Sequence, residues 1–126
     1  MKPELVSHFL NKQLKSLQLD YIDLYLIHLP VGFKYKDDKT LFPFENGEIA
    51  VDMETNLERV WKAMEEQVDM GKAKSIGLSN VDSTQIERIL NIARIQPANI
   101  QVTGYKTLTT KASNVYVYTF FLTFPG

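Results

Sequence analysis

Apolar residues recur at helical spacing in three segments of the chain, which predicts three helices. The first segment runs from about Pro3 to Leu17, and its proline suits the first turn of a helix. Its apolar stripe consists of Val6, Leu10, Leu14 and Leu17. A stripe of this kind is typical of a helix with one buried face.

The second segment has the clearest helical pattern. Its apolar positions are Leu57, Val60, Trp61, Met64 and Val68. Thr55 and Glu58 have the spacing of a capping box, and Gly71 supplies a stop. The charged residues of this segment are expected to form a solvated face: Glu54, Glu58, Arg59, Lys62, Glu65 and Glu66.

The third helix is predicted over roughly Ser83 to Arg94, with Asp82 as its N-cap and Pro97 shortly after its end. Its apolar face consists of Ile86, Ile89, Leu90 and Ala93.

Three strands are predicted between and after these helices. Every residue from Leu24 to Ile27 is apolar, which suggests a strand covered on both faces, as in a parallel sheet. Short strands are also expected at Ala73–Leu78 and Asn99–Val102. Alternating helices and strands indicate an α/β fold with parallel strands and right-handed crossovers. Three strands are too few to close an eight-stranded barrel, so they could form only a partial (β/α)8 barrel. A free-standing doubly wound sheet is the structural alternative, but it would normally show a Gly-rich phosphate turn, and this sequence has none.

Two segments break the alternation. An irregular stretch is expected from about Leu29 to Met53, and a loop of that length is more often functional than not. The last stretch, residues 104–126, has its final charge at Lys111 and a β-branched and aromatic run from Val115 to Phe124. We expect residues 1–103 to form the partial barrel and residues 104–126 a divergent tail, either β-prone or disordered.

Composition narrows the choice of function. The chain has 126 residues, enough for one domain with a real core, and its net charge of −1 gives no reason to expect a nucleic-acid partner. It has no cysteine, which excludes a disulfide scaffold and a Cys nucleophile, and no His/Asp/Glu cluster has metal-ligand spacing. Neither a signal peptide nor a membrane-spanning run is recognisable, so a cytoplasmic protein without a membrane partner is the default expectation.

Polar residues follow the three predicted strands. His28 closes the first strand, Ser79 and Asn80 close the second, and Gln101 falls in the third. Active sites of parallel barrels lie at the carboxyl ends of the strands, which makes these residues candidates for chemistry. Structural alternatives remain open, because His28 could bond a backbone carbonyl and Ser79 and Asn80 could be turn residues.

Other ionisable residues are weaker candidates. His8 is expected to face solvent from the first helix. Asp20 and Asp23 flank the start of the first strand, away from the presumed site, and a stabilising role is favoured for them. Tyr21 and Tyr25 lie at the start of that strand and within it, where packing is the favoured role.

Three motifs resemble those of the aldo-keto reductase family, in the family's order. They are Leu17 to Pro30 (LQLDYIDLYLIHLP), Ser75 to Asn80 (SIGLSN) and Pro97 to Val102 (PANIQV). The resemblance covers about residues 3–102, which would be the middle third of a family barrel. It implies hydride transfer from NADP(H) to an aldehyde or ketone.

The resemblance also implies roles for individual residues. His28 is similar to the histidine that orients the substrate carbonyl, and Leu29 stands where many members have Trp at the substrate wall. Ser79, Asn80 and Gln101 resemble the residues that bind the nicotinamide carboxamide. Phe33, Phe42 and Phe44 would line an apolar mouth to the pocket.

The departures from the family pattern affect the expected activity. The family's acid tyrosine lies upstream of the matched region and its phosphate-gripping basic residues lie downstream. Thr103-Gly104-Tyr105 stands where a Glu-Cys-His-like triplet is usual. We therefore expect an inactive or weakly active, truncated reductase, or alternatively a non-catalytic binding or regulatory module on the same scaffold. Self-association through exposed strand edges is a further expectation.

Overall fold

The structure is a computed structural model that describes residues 2–40 and 42–101. Ten elements follow one another along these residues: α1 (Glu4–Leu17), β1 (Ile22–Ile27), β2 (Gly32–Phe33), β3 (Phe44–Glu45), β4 (Glu48–Ile49), β5 (Val51–Asp52), α2 (Leu57–Asp69), β6 (Ala73–Ser79), α3 (Ser83–Ile92) and β7 (Asn99–Gln101). The predicted tail at 104–126 lies outside the described residues.

The sheet that carries the fold contains β1, β6 and β7, with β6 in the middle. Both pairings are parallel, as the alternation of helices and strands predicted. In the register, Ile27 lies beside Leu78 and Ser79 lies beside Gln101. The partial α/β barrel expected from the sequence is thus confirmed, and the carboxyl ends of all three strands meet at one edge.

The core lies between this sheet and the helices. Ile76 and Leu78 of β6 are fully buried, as are Trp61 of α2 and Ile89 of α3. Because side chains alternate along a strand, Ser75, Gly77 and Ser79 project to the face of β6 opposite Ile76 and Leu78. The helix-facing residues therefore stabilise the sheet, while the opposite face can carry polar residues.

Helix α1 packs on α2 through the predicted stripe. Val6, Leu10 and Leu14 are buried, whereas Leu17 at the last turn is 43% exposed. The helix ends where Gln18 adopts a left-handed conformation with φ 56°. Leucine and valine at this spacing thus place one face of α1 against the fold and leave the other face free to contact the long loop.

Helix α2 begins one residue later than the capping-box spacing indicated. The N-cap is Asn56, whose side chain accepts a hydrogen bond from the backbone N–H of Arg59 at 3.0 Å. The prediction of Thr55 as the cap was wrong, because an asparagine side chain one position later reaches the same type of orphan donor. The predicted stop holds, since Gly71 follows the helix with φ +71°.

Glu65 was predicted to lie on the solvated face of α2, and this prediction was wrong. It is 5% exposed, and its Oε1 accepts hydrogen bonds from the backbone N–H groups of Arg94 (2.7 Å) and Ile95 (2.9 Å). The indole Nε1 of Trp61 donates to the carbonyl oxygen of Ile95 at 3.3 Å. Two side chains of α2 therefore hold the chain that leads from α3 into β7.

Helix α3 starts as predicted. The Asp82 side chain accepts from the backbone N–H of Gln85, and the Gln85 side chain accepts from the backbone N–H of Asp82, which completes a capping box. The helix ends at Ile92, two residues before the predicted end, because Ala93 adopts an extended conformation with ψ 123°.

The segment predicted to be irregular contains two small antiparallel pairs. β2 pairs with β5, and β3 pairs with β4. The turn between β3 and β4 consists of Asn46 and Gly47, with φ values of 53° and 82°. Positive φ at both positions is what a tight hairpin turn needs, and an Asn-Gly dipeptide supplies it. The prediction of an irregular stretch from about Leu29 to Met53 was therefore wrong at these four two-residue strands.

Two further observations concern the described ranges only. None of their helices is long and apolar enough to cross a bilayer. Within residues 2–40 and 42–101 there is also no group of three or more His, Asp or Glu side chains placed to hold a metal ion.

Candidate active site at the carboxyl edge of the sheet

The structure places the predicted strand-end residues at one edge of the sheet. Ile27 and Leu78 are the last positions at which β1 pairs with β6, and His28 and Ser79 follow them directly. Ser79 is in turn paired with Gln101 of β7. The carboxyl edge therefore brings His28, Ser79, Asn80 and the backbone of Gln101 together.

Asn80 joins two of these strands. Its Nδ2 donates to the backbone carbonyl oxygen of His28 at 2.7 Å and to the hydroxyl oxygen of Ser79 at 3.2 Å. The backbone of Asn80 is left-handed, with φ 56°. Asparagine is among the few non-glycine residues that tolerate this region, so the turn and the side-chain contact both depend on this residue type.

Ser79 is a buried polar residue, only 5% exposed. Its Oγ accepts from Asn80, and a serine hydroxyl can accept two hydrogen bonds and donate one. The contact with Asn80 therefore uses only part of its capacity. A buried hydroxyl beside a half-buried amide is suited to a ligand that carries both a carbonyl oxygen and an N–H group.

Gly77 allows the strands to approach one another below this edge. A Cβ at Gly77 would lie 2.6 Å from the backbone oxygen of Asn99 and 2.6 Å from the Cδ2 atom of Leu26. Atoms at that distance overlap, so only glycine lets β1 and β7 sit this close to β6. The sequence motif SIGLSN alternates accordingly: Ile76 and Leu78 face the helices, while Gly77 and Ser79 face away from them.

His28 and Leu29 occupy the end of β1. His28 is exposed and Leu29 is half-buried. Both leave the sheet at the same point as Ser79 and Asn80, and the contact between Asn80 and the His28 carbonyl fixes the backbone there. The roles assigned to His28 and Leu29 by resemblance remain predictions.

The aromatic residues of the long loop do not behave as one set. Phe33 and Phe42 form an edge-to-face pair with ring centroids 5.3 Å apart. Phe44 lies in β3 opposite Ile49 and is 67% exposed. Edge-to-face stacking stabilises the Phe33–Phe42 pair, whereas Phe44 belongs to the β3–β4 hairpin. A common apolar mouth formed by all three remains a prediction.

A polar cluster outside the strand ends ties this loop to α1. The Asp38 carboxylate accepts from the Tyr35 hydroxyl at 2.7 Å and lies 3.0 Å from His8 Nε2 and 3.2 Å from Lys12 Nζ. Hydrogen bonds from Tyr35 and His8 lower the pKa of Asp38 to about 2. His8 is exposed as expected, but it pairs with Asp38.

The sequence carries a signal for this cluster that lies outside the three motifs. His8 and Lys12 are four residues apart and so share one face of α1. The loop contains the acidic doublet Asp37-Asp38. Nothing in the sequence indicates that the two segments meet, because the contact bridges 26 to 30 positions along the chain.

Ionisable residues at the opposite, amino end of the strands have structural contacts. Lys74 pairs with Asp23 at 3.1 Å and lies 4.0 Å above the ring of Tyr21. Tyr25 is half-buried against the core, and burial raises its pKa to about 12. The packing role predicted for Tyr25 agrees with this burial, whereas Tyr21 is 43% exposed and its ring contacts Lys74.

Comparison with known proteins places the chain in an enzyme family. The sequence model of the aldo/keto reductase family matches residues 1–117, which extends past Val102, where the motif-based resemblance ends. An aldo-keto reductase family 1 member A1 from Xenopus tropicalis is 41% identical over 125 residues, which is 98% of this chain and 37% of that protein.

Two further relatives agree. A protein of Emericella nidulans, named as a probable NAD(P)H-dependent D-xylose reductase, is 39% identical over 84% of this chain and 34% of its own length. The aldose reductase structure from Schistosoma japonicum superposes with a TM-score of 0.74 at 48% identity, covering 79% of this chain and 33% of that one. The chain thus spans about a third of the length of these relatives.

Proposed function

Because the chain belongs to the aldo/keto reductase family, we propose that it supplies the carbonyl-orienting and nicotinamide-binding edge of an enzyme that reduces aldehydes and ketones to alcohols with NADP(H). The observation that carries this proposal is the contact between Asn80 Nδ2 and the His28 carbonyl at 2.7 Å. It joins the proposed substrate residue to the proposed cofactor residues at the edge where parallel barrels hold their active sites.

The chemistry of the edge fits a nicotinamide carboxamide. That group offers one carbonyl acceptor and one NH2 donor, and Ser79 and Asn80 can each donate and accept. Ser79 is buried, so a hydrogen bond made there would be shielded from water. Gln101 is paired with Ser79 in the sheet, and we include it as the third proposed cofactor residue because of this position.

The cofactor, when bound, supplies the hydride. The residues of this chain would orient the two reactants, which is a large part of hydride-transfer catalysis. In this proposal the His28 imidazole donates a hydrogen bond to the substrate carbonyl oxygen, and the side chain of Leu29 forms part of the wall against which the substrate packs. The backbone of His28 is held by Asn80, so the position of the imidazole depends on the turn that Asn80 makes.

The isolated 126-residue chain is proposed to turn over substrate weakly or not at all. Its proposed residues orient the reactants, and none of them is assigned the proton transfer, a step worth about 10²- to 10⁴-fold in rate. The alternative, a non-catalytic module on this scaffold, makes the same binding prediction without turnover. Self-association through strand edges and a cytoplasmic location are proposals that light scattering and cell fractionation test.

A titration of the purified chain with NADPH tests the proposal. We expect NADPH fluorescence to rise on binding, and Ser79→Ala to weaken the affinity about fivefold, as for one lost hydrogen bond of about 1 kcal/mol. Ser75→Ala is the matched control, because Ser75 lies on the same face of β6 but four residues from the edge. It should bind NADPH like the unchanged chain.

The outcomes of this titration distinguish a reductase from a non-catalytic module. Enhancement with slow, benzaldehyde-dependent oxidation of NADPH supports the reductase, and enhancement without oxidation supports the non-catalytic module. No enhancement from the folded chain, or equal effects of the Ser79 and Ser75 substitutions, would count against a nicotinamide site at this edge.

A further inference from the structure

Asp38 is the centre of a network that joins the long loop to α1. Three side chains contact its carboxylate: the Tyr35 hydroxyl at 2.7 Å, His8 Nε2 at 3.0 Å and Lys12 Nζ at 3.2 Å. Lys12 Nζ also donates to the backbone carbonyl oxygen of Asp38 at 3.1 Å. Two of the partners carry or can carry positive charge, so the contacts are charge-assisted and form a network rather than an isolated surface pair.

The two sides of this network differ in how firmly they are held. His8 and Lys12 stand one turn apart on α1, whose opposite face is buried through Val6, Leu10 and Leu14. The Asp38 side of the network lies in the chain that leaves β1. Asp38 is therefore the point at which the loop is fastened to a packed helix.

Aromatic contacts run alongside the network. The ring of Phe9 makes an edge-to-face contact with Tyr35 at 6.2 Å, and His8 contacts Phe9 at 5.2 Å. Asp37, next to Asp38, accepts from the backbone N–H groups of Lys39 and Thr40 at 2.8 Å, which closes a tight turn. The turn presents Asp38 to α1.

The fastened segment, residues 31–40, begins three positions after His28 of the proposed site. Phe33 follows His28 by five residues, so their Cα atoms are at most ~18 Å apart. Phe33 in turn stacks on Phe42. Phe33 itself is paired with Val51 of β5, and the network at Asp38 holds the chain between Phe33 and Phe42.

On these contacts we propose that Asp38 is a positioning residue for substrate recognition: by fastening residues 31–40 to α1 through His8, Lys12 and Tyr35, it sets where the Phe33–Phe42 pair stands relative to His28. The inference rests on the proposed function, since the ligand it concerns is an apolar carbonyl compound at that same edge. Asp38 would touch neither substrate nor cofactor.

The test compares Asp38→Asn with Asp23→Asn in the full chain. Both changes remove one exposed carboxylate, but Asp38 has three side-chain partners, whereas Asp23 pairs with Lys74 at the amino end of the sheet. Amide hydrogen exchange of residues 31–40 reports whether the loop is fastened. Loss of hydrogen bonds to a charged acceptor should speed exchange there about tenfold in Asp38→Asn and leave it unchanged in Asp23→Asn.

A second readout concerns recognition, which a purely structural role would not move. Benzaldehyde is titrated into each variant while the imidazole signal of His28 is followed by NMR. We expect the dissociation constant of benzaldehyde to rise about three- to tenfold in Asp38→Asn and to be unchanged in Asp23→Asn. In Tyr35→Phe, which keeps the ring contact with Phe9, we expect a smaller rise.

Failure of the inference can be told apart from failure of the proposed function. If the unchanged chain gives no His28 shift with benzaldehyde, the proposed function fails, and the substrate part of the inference fails with it. If the unchanged chain binds benzaldehyde but Asp38→Asn and Asp23→Asn exchange alike or bind alike, the positioning role of Asp38 is overturned while the proposed function stands.

Discussion

Replacement of Gly77 by alanine probes the close approach of the three parallel strands. The new Cβ would lie 2.6 Å from the Asn99 carbonyl oxygen and 2.6 Å from Leu26 Cδ2, atoms that belong to the two neighbouring strands. The leucine side chain can rotate away, but the backbone oxygen moves only if β7 moves. Overpacking of this kind costs about 1–3 kcal/mol.

An opposing effect is smaller. Alanine restricts the unfolded chain more than glycine does, which stabilises the folded protein by roughly 0.4–1 kcal/mol when the native conformation suits it. The expected net loss in Gly77→Ala is therefore about 1.3 kcal/mol in the free energy of unfolding, with limits of about 0 and 2.6 kcal/mol from the difference between these two effects. Most of it should come from displacement of β7 at Asn99.

Urea denaturation followed by the fluorescence of Trp61 measures the loss, and amide NMR shifts of Leu26 and Asn99 locate it. Gly71→Ala is the comparison. Gly71 has open space around its Cβ position but φ +71°, so its change should cost about 1 kcal/mol through backbone strain without moving the sheet signals. A Gly77→Ala protein with unchanged stability and unshifted Asn99 signals would refute the proposed close approach of the strands.

Three further predictions concern single side chains. Glu65→Leu removes the acceptor of two backbone N–H groups and should destabilise the chain by about 3 kcal/mol in urea denaturation; equal stability would contradict the buried contact. Gln67→Leu should be neutral or stabilising by about 1 kcal/mol, because Gln67 Oε1 is buried without a hydrogen-bond partner among the described residues; a clear loss of stability would show that the oxygen has a partner. The hydrogen bond to Asp38 raises the pKa of Tyr35, so this contact stabilises the fold below the ordinary tyrosine pKa and is lost as pH rises through the raised value. Alkaline absorbance titration should therefore show Tyr35 ionising at lower pH in Asp38→Asn, whereas Tyr25, with its pKa raised to about 12 by burial, should ionise at the same pH in both proteins; an unmoved Tyr35 would count against the contact.

Periodicity predicted the framework because the elements that pack on the core carry regular apolar stripes. The stripe from Leu57 to Val68 predicted α2, and the apolar run from Leu24 to Ile27 predicted a strand of a parallel sheet. Their order then placed His28 and Ser79 at one edge without further information, because parallel strands share their carboxyl ends.

Side-chain contacts that bridge distant segments could not be predicted from residue type. Glu65 has the charge of a surface residue, yet it is buried because backbone N–H groups of the turn after α3 need an acceptor there. Two of the three side-chain partners of Asp38, Lys12 and His8, likewise lie 26 and 30 positions away along the chain. Periodicity reports which face of an element is apolar, and it carries no information on which polar groups meet across the fold.

The hairpin between β3 and β4 is a different case. Asn46-Gly47 is a strong local signal for a tight turn. The flanking strands have two residues each, too short for an alternating pattern to show. The turn could have been found from its dipeptide alone, and the remaining pairing of β2 with β5 could not.

The most direct test of the central claim is an NMR titration of the chain with NADP⁺, with the signals of His28, Ser79 and Asn80 assigned. We expect the Ser79 and Asn80 amides and the His28 signals to shift together along one saturable curve, since one hydrogen-bonded edge connects them. Shifts confined to other surfaces, such as the His8 and Lys12 face of α1, or separate curves for His28 and Asn80, would contradict a single site at this edge.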